Sequence, residues 1–221
     1  MNGEDTLYHR NDRMYNARRN MVMNLELKGI SSGSVLDAMM KVPRDRFISE
    51  ALCYRAYDDT SLPIGFGQTI STPSVVASMV QSLRLTGDEK VLEIGSGSGY
   101  QAAILAELAG DVTAMERIPE LAERSKNTLS VLGYKVKVIN SDNFHDIDSL
   151  FERIIVSAGV RIFPSELLAK LETGGILVIP VDEKGESHRI KRFVKKGEDD
   201  FFEEIIGRAT FVPYIMNERI V

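Results

Sequence analysis

A glycine-rich turn is the first feature of the sequence that points to chemistry. Val91 to Ile94 reads as a short buried strand, and Gly95, Gly97 and Gly99 follow at alternating positions before a helix opens at Tyr100. Glycine combines left-handed backbone angles with the absence of a Cβ, so such a turn lets the main chain approach a ligand closely. The spacing therefore predicts a nucleotide-like cofactor held at a strand-to-helix turn.

The residues around this turn narrow the choice of cofactor. The dinucleotide-binding pattern needs a third glycine where this chain has Tyr100, and no Gly-Lys-Ser/Thr ending marks a phosphate loop. The carboxylate of Glu93 would oppose a pyrophosphate but suits a cation. S-adenosylmethionine carries an ammonium and a sulfonium and no phosphate. We therefore predict that it binds here, through Glu93, Gly95, Ser96, Gly97 and Gly99.

Two further loops are predicted to complete the cofactor site. Glu116 ends the next predicted strand, where an acidic side chain accepts hydrogen bonds from ribose hydroxyls, and Arg117 beside it is assigned to the same site. Asp142 and Asn143 follow the third strand. Asp142 either accepts from the adenine amino group, with Phe144 packed nearby, or forms an Asx turn beside a core aromatic residue. The sequence leaves these two interpretations open.

The predicted elements specify the fold class. Strands end at Ile94, Glu116, Asn140, Ser157 and Val181, with helices between them that include one from Pro164 to Leu171. This alternation predicts an α/β fold: a doubly wound, mostly parallel sheet with helices on both faces. Basic and apolar residues alternate over 189–195, a turn follows at 197–200, and the run 201–206 continues, which predicts an appended antiparallel hairpin. The expected organisation is one domain over 1–221, with helices and a substrate segment in 1–85 and the cofactor-binding sheet in 86–221.

Composition excludes several classes of function. The net charge is −5 with both signs interspersed, which argues against a nucleic-acid partner. No stretch is apolar enough for a membrane span, and the first residues do not show the charged-then-apolar pattern of a signal peptide. The single Cys53 fits a reducing, cytoplasmic location, and three scattered histidines give no metal-ligand spacing. We expect a monomeric cytoplasmic protein that binds neither metal, membrane nor nucleic acid.

The segment before the sheet is expected to meet the substrate. Helices are predicted over 14–28 and 34–41, followed by an apolar, glycine-bent loop from Leu62 to Gly67. Ser71 or Thr72 then caps a helix that has Pro73 in its first turn. A hydroxyl at a helix N-terminus either binds an anion or serves only as a cap. The pattern alone favours the cap.

A family resemblance bears on that choice. Val42-Pro43-Arg44, the Leu62–Gly65 segment and the run Gly67-Gln68-Thr69-Ile70-Ser71, together with the glycine turn, resemble protein-L-isoaspartate O-methyltransferases. The resemblance implies that Ser71 is the active-site serine and that Gly95, Glu116 and Asp142 contact the cofactor. It also assigns Thr69 and Ile70 to the cofactor site. The residues it assigns to substrate binding are Ile64, Gly65, Ser71, Ala158 and Val212.

The resemblance implies a reaction and has three departures, one of which is the short loop from Phe144 to Phe151 without the usual glycine. The reaction is methyl transfer from S-adenosylmethionine to the free α-carboxylate of L-isoaspartyl residues in damaged proteins and peptides, which starts repair through a succinimide. Ser141-Asp142-Asn143 replaces the usual Gly-Asp-Gly, and Ala158-Gly159 replaces a pair of alanines. The alternatives are a methyltransferase of the same fold that acts on another carboxylate, and a non-catalytic module that binds S-adenosylmethionine.

Overall fold

The computed structural model describes residues 3–183, 187–216 and 219–220, and within these ranges it has five α-helices and eleven strands. In chain order these are α1 (Gly3–Leu27), α2 (Gly33–Lys41), β1 (Leu62–Gly65), β2 (Gln68–Ile70), α3 (Pro73–Ser82), β3 (Lys90–Ile94), α4 (Tyr100–Ala106), β4 (Asp111–Glu116), α5 (Pro119–Val131), β5 (Lys137–Asn140), β6 (Phe151–Val156), β7 (Leu171–Glu183), β8 (Ser187–Lys195), β9 (Phe201–Ala209), β10 (Ile215–Met216) and β11 (Arg219–Ile220). Short 3-10 helices occupy Arg44–Phe47, Glu50–Arg55, Phe144–Asp146 and Ser165–Lys170.

Seven of the strands form one sheet in the order β5-β4-β3-β6-β7-β8-β9. The strands from β5 to β7 in that order are parallel, and β8 and β9 continue the sheet in antiparallel pairing. The chain runs outward from β3 through β4 to β5 and then returns to place β6 on the other side of β3. In sheets of this kind, ligands bind at the carboxyl ends of the strands beside such a reversal.

Each face of the sheet is covered by its own core cluster. Val91, Ala114 and Ile155 lie in the first cluster, to which the five described α-helices contribute buried residues. Leu92 and Ile94, which alternate with Val91, lie in the second cluster. Here the cover comes from the 3-10 helices and loops, including Phe144, Leu167 and Tyr214.

Two predicted elements differ from those observed. The helix predicted over 164–171 is a 3-10 helix at Ser165–Lys170, and β7 already begins at Leu171. Leu171 pairs with Phe151 of β6, so pairing in the sheet overrides the local helical pattern. The loop predicted from Leu62 is instead the hairpin of β1 and β2. Phe66 lies at its tip with a φ of 54°.

The helix ends follow the sequence signals more closely. Thr72, not Ser71, is the N-cap of α3: its side chain accepts a hydrogen bond from the Val75 N–H at 3.3 Å, and Pro73 is the first helical residue. Gly133 follows the end of α5 with a φ of 81°, as expected of a glycine that closes a helix. The Ser71 side chain is therefore not used as the cap.

No helix in the described ranges is both long and apolar enough to cross a bilayer. A search of the same residues finds no cluster of three or more His, Cys, Asp or Glu side chains able to hold a metal ion. The predicted lack of a metal site is thus not contradicted within the described part of the chain.

Candidate active site

The glycine turn lies at the carboxyl edge of the sheet, where β3 ends between β4 and β6. The Gly95 and Ser96 N–H groups donate to the Met115 carbonyl at 2.8 and 3.1 Å, and the Ser157 N–H donates to Ile94 at 2.8 Å. Gly95 and Gly97 have φ angles of 81° and 53°. The turn therefore needs glycine at these positions and is held by the main chain of both neighbouring strands.

Glu116 accepts main-chain hydrogen bonds through both carboxylate oxygens, one of them from the glycine turn. Its Oε2 accepts from the Gly97 N–H at 2.8 Å and its Oε1 from the Ile118 N–H at 2.9 Å, and the residue is 5% exposed. A carboxylate has about four lone-pair positions, so each oxygen can still accept from a ligand. Glu116 lines the cofactor cavity, as we name a space of about 520 Å³ at this edge of the sheet.

Glu93 is a buried acid with one oxygen unused. The Gln101 Nε2 group donates to its Oε1 at 2.9 Å and to the Ser157 hydroxyl at 2.8 Å, while the Glu93 Oε2 has no partner among the described residues. Burial, with a contribution from the negative charge of Glu116, raises the pKa of Glu93 to about 8. An oxygen buried without a partner at a ligand cavity suits a positively charged donor.

Two further spaces adjoin the cofactor cavity. The serine cavity, of about 340 Å³, is lined by Ser71, Glu93 and Gln101, among others. The outer cavity, of about 580 Å³, is lined by Ser71 and by residues 209–212. Thr69 and Ser157 line all three spaces. A group bound in the cofactor cavity and a group bound beside Ser71 would therefore meet at these two residues.

Ser71 itself is held by its main chain and has a free hydroxyl. The Arg44 Nη2 group donates to the Ser71 carbonyl at 2.7 Å. Across the same turn, the Asp59 carboxylate accepts from the Ser74 N–H at 2.9 Å. The Ser71 hydroxyl forms no hydrogen bond with other residues of the described ranges, which leaves it available to a bound substrate.

Most of the residues predicted for the site lie on these cavities. The cofactor cavity is lined by nine of them: Ile64, Thr69, Gly95, Gly97, Glu116, Arg117, Asp142, Ala158 and Val212. The serine cavity adds four more: Ile70, Ser71, Glu93 and Ser96.

Three predicted residues do not line these cavities. Gly99 is the N-cap of α4 and packs against α5, where an added Cβ would lie 3.0 Å from the Cβ of Ser125. The Asn143 side chain accepts from the His145 N–H at 3.0 Å and is used in a local turn. Gly65 lines a separate space on the other side of the β1–β2 hairpin. The roles of these three residues in binding stay predictions.

The loop after β5 combines features of the two interpretations of Asp142 and Phe144. Phe144 is 1% exposed and belongs to the second core cluster, so it is a core aromatic residue and does not line the cofactor cavity. Asp142 does line that cavity, and the Tyr214 hydroxyl donates to its carbonyl at 3.4 Å. The turn itself is formed by Ser141, whose hydroxyl accepts from the Asn143 N–H at 3.0 Å.

Gly159 stands where the family usually has alanine, and the ring of His188 occupies the space that an alanine methyl group would need. A Cβ built on Gly159 would lie 1.9 Å from the Nε2 of His188. The His188 Nδ1 accepts from the Phe211 N–H at 3.3 Å, and the two rings pack edge to face. Gly159 also bonds to Val212 and Tyr214 through its main chain, at 2.8 Å each. His188 and Gly159 together hold the segment that closes the outer cavity.

Sequence reasoning missed several residues that line the site. Gln68, Met115 and Tyr214 line the cofactor cavity, and Gln101 links Glu93 to Ser157. Gln101 lies eight residues beyond Glu93, on the inner side of the helix that the glycine turn opens, and this spacing was an available signal. Tyr214 had no such signal, because it comes from a distant segment.

The donor set fits S-adenosylmethionine. The Glu93 oxygen without a partner matches a cation, the oxygens of Glu116 match ribose hydroxyls, and Gly95 and Gly97 leave space where a Cβ would stand. A built Cβ on Gly95 meets no atom closer than 3.8 Å, so the turn is open toward the cavity. Bare glycine main chain beside a buried acid suits a cationic amino-acid group better than a phosphate.

Comparison with known proteins gives one consistent result. The family model "Protein-L-isoaspartate(D-aspartate) O-methyltransferase (PCMT)" matches residues 16–219. A protein-L-isoaspartate O-methyltransferase of Photorhabdus laumondii is 43% identical over 205 residues, covering 91% of this chain and 97% of the relative. Protein-L-isoaspartate O-methyltransferase 2 of Geotalea uraniireducens is 48% identical over 187 residues, covering 83% and 85%.

The fold comparison agrees with the family match. A Plasmodium falciparum protein-L-isoaspartate O-methyltransferase, crystallised with S-adenosyl-L-homocysteine, superposes with a TM-score of 0.79 at 24% identity, covering 90% of this chain and 99% of that one. This likeness confirms the predicted α/β fold. The chain belongs to the protein-L-isoaspartate(D-aspartate) O-methyltransferase family, as its sequence motifs predicted.

Proposed function

We propose that this chain transfers a methyl group from S-adenosylmethionine to the free α-carboxylate of L-isoaspartyl residues in damaged proteins and peptides, and so starts their repair through a succinimide. One observation carries the proposal. The free hydroxyl of Ser71 adjoins the cofactor cavity, and the spaces on either side of it share Thr69 and Ser157. A carboxylate bound at Ser71 is therefore adjacent to the cofactor.

The substrate carboxylate needs no strong base. An α-carboxyl group has an ordinary pKa of roughly 3.5, so it is ionised at neutral pH. Ser71 donates a hydrogen bond to one of its oxygens and leaves the other directed toward the cofactor cavity. When bound, S-adenosylmethionine supplies an electrophilic methyl group on a positively charged sulfur. The contribution of the protein is then alignment and exclusion of water, which is worth up to ~7–11 kcal/mol in well-oriented systems.

The cofactor would be held by groups that differ in chemistry. Glu93 binds the ammonium of the amino-acid end through its unused oxygen, and Glu116 accepts from the ribose hydroxyls. The main chain of Gly95 and Gly97 allows close approach between them. Asp142 accepts from the adenine amino group at the far end of the cavity. These roles are part of the proposal.

The substrate would be recognised mainly by main-chain and apolar contacts. Ile64, Ala158 and Val212 line the cofactor cavity, and residues 209–212 line the outer cavity next to Ser71. Side chains of this kind do not select among charged neighbours of the damaged residue. The division of the chain, with the substrate segment in 1–85 and the cofactor-binding sheet in 86–221, belongs to the same proposal.

A pair of peptides tests this function directly. We expect methyl transfer from labelled S-adenosylmethionine to a peptide that contains L-isoaspartate, with a succinimide as the later product. The same peptide with an ordinary aspartate is the control and should stay unlabelled. Equal labelling of both peptides would favour a methyltransferase with another carboxylate substrate. Binding of the cofactor without transfer to either peptide would indicate a non-catalytic module.

We further propose that the protein is a cytoplasmic monomer with no nucleic-acid partner. Cys53 is the single cysteine of the sequence, so the chain contains no internal disulfide, as is common in a reducing compartment. The net charge of −5, with acidic and basic residues interspersed, opposes binding to a polyanion. Light scattering of the purified chain tests the monomer: a mass of about 24.6 kDa is expected, and twice that mass would contradict it.

A further inference from the structure

Arg44 is a charged side chain in the protein interior, where a charge is poorly solvated. Its relative exposure is 0%, and it heads the largest fully buried side chains of the described residues. Burial lowers its pKa. No carboxylate of the described ranges forms an ion pair with it, and burying an ion without one is expensive. A buried cation of this kind needs an explanation in the contacts that it makes.

Those contacts join three separate parts of the site. The Arg44 Nε group donates to the Ala56 carbonyl at 2.8 Å, and its Nη2 group donates to the Ser71 carbonyl at 2.7 Å. The guanidinium carbon lies 4.8 Å from the centre of the Tyr100 ring. Tyr100 is the first residue of α4 and directly follows the glycine turn. One side chain therefore links the Ser71 main chain to the helix that the cofactor turn opens.

The arrangement is specific to arginine. A guanidinium is planar and has donors that point in different directions, so it can bond two carbonyls while lying over an aromatic ring. A lysine ammonium keeps the charge but is a single point, and it cannot reproduce both bonds together with the stacking. Arg44 holds the Ser71 carbonyl and Asp59 holds the Ser74 N–H, so two side chains fix the main chain of this segment.

We propose that Arg44 is a positioning residue, which fixes the main chain of Ser71 relative to the glycine turn and thereby aims the serine hydroxyl at the substrate carboxylate. This inference rests on the role proposed for Ser71. It assigns to Arg44 no contact with substrate or cofactor, since the residue lines none of the three cavities. Its effect on catalysis must therefore pass through Ser71.

A double-mutant cycle between the two residues tests the proposal. Arg44→Lys should lower kcat/KM for an isoaspartyl peptide roughly 10- to 100-fold, the effect of a small misplacement of a reacting group. The Kd for S-adenosyl-L-homocysteine, measured by calorimetry, should change less than about twofold, because the cofactor contacts are untouched. When Ser71 is already alanine, adding Arg44→Lys should lower activity by less than about twofold further.

Arg153→Lys is the matched control. Arg153 is also largely buried, donates to the Leu83 carbonyl at 2.7 Å and pairs with Glu89, away from the site. We expect this variant to lower the free energy of unfolding without changing kcat/KM. Comparable losses of activity in the two lysine variants would show a general effect of buried arginines and would overturn the proposal.

The remaining outcomes separate the two proposals. Additive effects of Arg44→Lys and Ser71→Ala would overturn the role of Arg44 but leave that of Ser71 intact. Wild-type turnover in Ser71→Ala would instead remove Ser71 from the mechanism. If Arg44→Lys does not fold, the cycle is run with Arg44→Gln, which keeps a donor without the charge. Failure of both variants to fold would make Arg44 a requirement of the fold and overturn the positioning role.

Discussion

The cofactor side and the Ser71 side of the site are built in different ways. The glycine turn is held by regular structure: Gly95 and Ser96 bond to the main chain of β4, and Ser157 follows the neighbouring β6. The Ser71 segment follows a two-strand hairpin and lies outside the seven-stranded sheet. Side chains hold it, chiefly Arg44 at the Ser71 carbonyl and Asp59 at the Ser74 N–H.

This difference shows how many specific side chains each kind of structure needs in order to hold a site in position. A parallel sheet positions its carboxyl edge through hydrogen bonds that any sequence can supply, so only glycine and an acid or two must be specified. An irregular segment has no such ladder, and its geometry depends on particular donors and acceptors. We therefore expect single substitutions to disturb the two sides through different measurable quantities, cofactor affinity on one side and turnover on the other.

The largest effect is expected at Ser71. Ser71→Ala should lower turnover of an isoaspartyl peptide roughly 10- to 1,000-fold, as when a donor that orients a reacting group is lost. Steady-state kinetics measures the loss, and calorimetry should find the Kd of the cofactor close to its normal value. Ser130→Ala, on the exposed face of α5, is the control. Turnover at the wild-type rate in Ser71→Ala would contradict the assignment.

A smaller effect is expected at Glu116, on the affinity for the cofactor and not on turnover. Glu116→Ala removes the acceptor of the Gly97 and Ile118 N–H groups together with the proposed ribose contacts. The Kd of S-adenosylmethionine should rise roughly 10- to 100-fold, the range for a lost charged hydrogen bond. At saturating cofactor, the KM of the peptide should be nearly unchanged. The comparison between the two sides fails if peptide KM rises as much as cofactor Kd.

Glu120→Ala is the control for Glu116. Glu120 is an exposed acid in the first turn of α5, four residues along the chain. Its removal should leave the cofactor Kd within about twofold, since a solvated charge at this distance is screened. An equal loss of affinity in both variants would mean that general acidity, and not the Glu116 contacts, holds the cofactor.

The smallest expected effect is that of Glu93 on the affinity for S-adenosylmethionine, and it depends on pH. Its pKa of about 8 lies above the ordinary value, so the carboxyl is largely protonated at pH 6.5. If the ligand cation binds the ionised form, the affinity for S-adenosylmethionine should rise about tenfold between about pH 6.5 and 8. Glu93→Gln keeps the shape and should flatten this rise, as titration calorimetry at several pH values will show. An unchanged profile in the variant would exclude Glu93.

The same pKa fixes the sign of a stability change. The folded chain holds the Glu93 proton more tightly than the unfolded chain does. The contribution of this proton to the free energy of unfolding is therefore fully present below the ordinary pKa of about 4.5. It is lost as the pH rises toward 8. Urea unfolding of the wild type and of Glu93→Gln across this window should show a steeper decline in the wild type. Parallel declines would contradict the high pKa.

The sequence was most informative where regular structure determines position. The strand-glycine-helix pattern located Gly95, Gly97 and Glu116 at the same edge of the sheet, because carboxyl ends of parallel strands must meet there. The family and the α/β fold were predicted and are confirmed. The same pattern did not distinguish Gly99, which belongs to the glycine run but packs against Ser125 and Leu129 of α5.

Contacts between distant segments could not be read from local pattern. Tyr214 reaches the cofactor cavity from beyond β9, and its bond to the Asp142 carbonyl depends on the fold of the whole sheet. Likewise, the hairpin of β1 and β2 was predicted as a loop, because strands of four and three residues carry little periodicity. Local signals fix which elements form, whereas tertiary contacts decide which side chains enter the site.

The packing of His188 against Gly159 couples these two positions. An alanine at 159 and the imidazole at 188 in its present position would occupy the same space. With alanine at 159, His188 would have to move its ring away from the Phe211 N–H, so a change at one position alters which residues fit at the other. The two positions are therefore expected to vary together among relatives, although 29 residues separate them in the sequence.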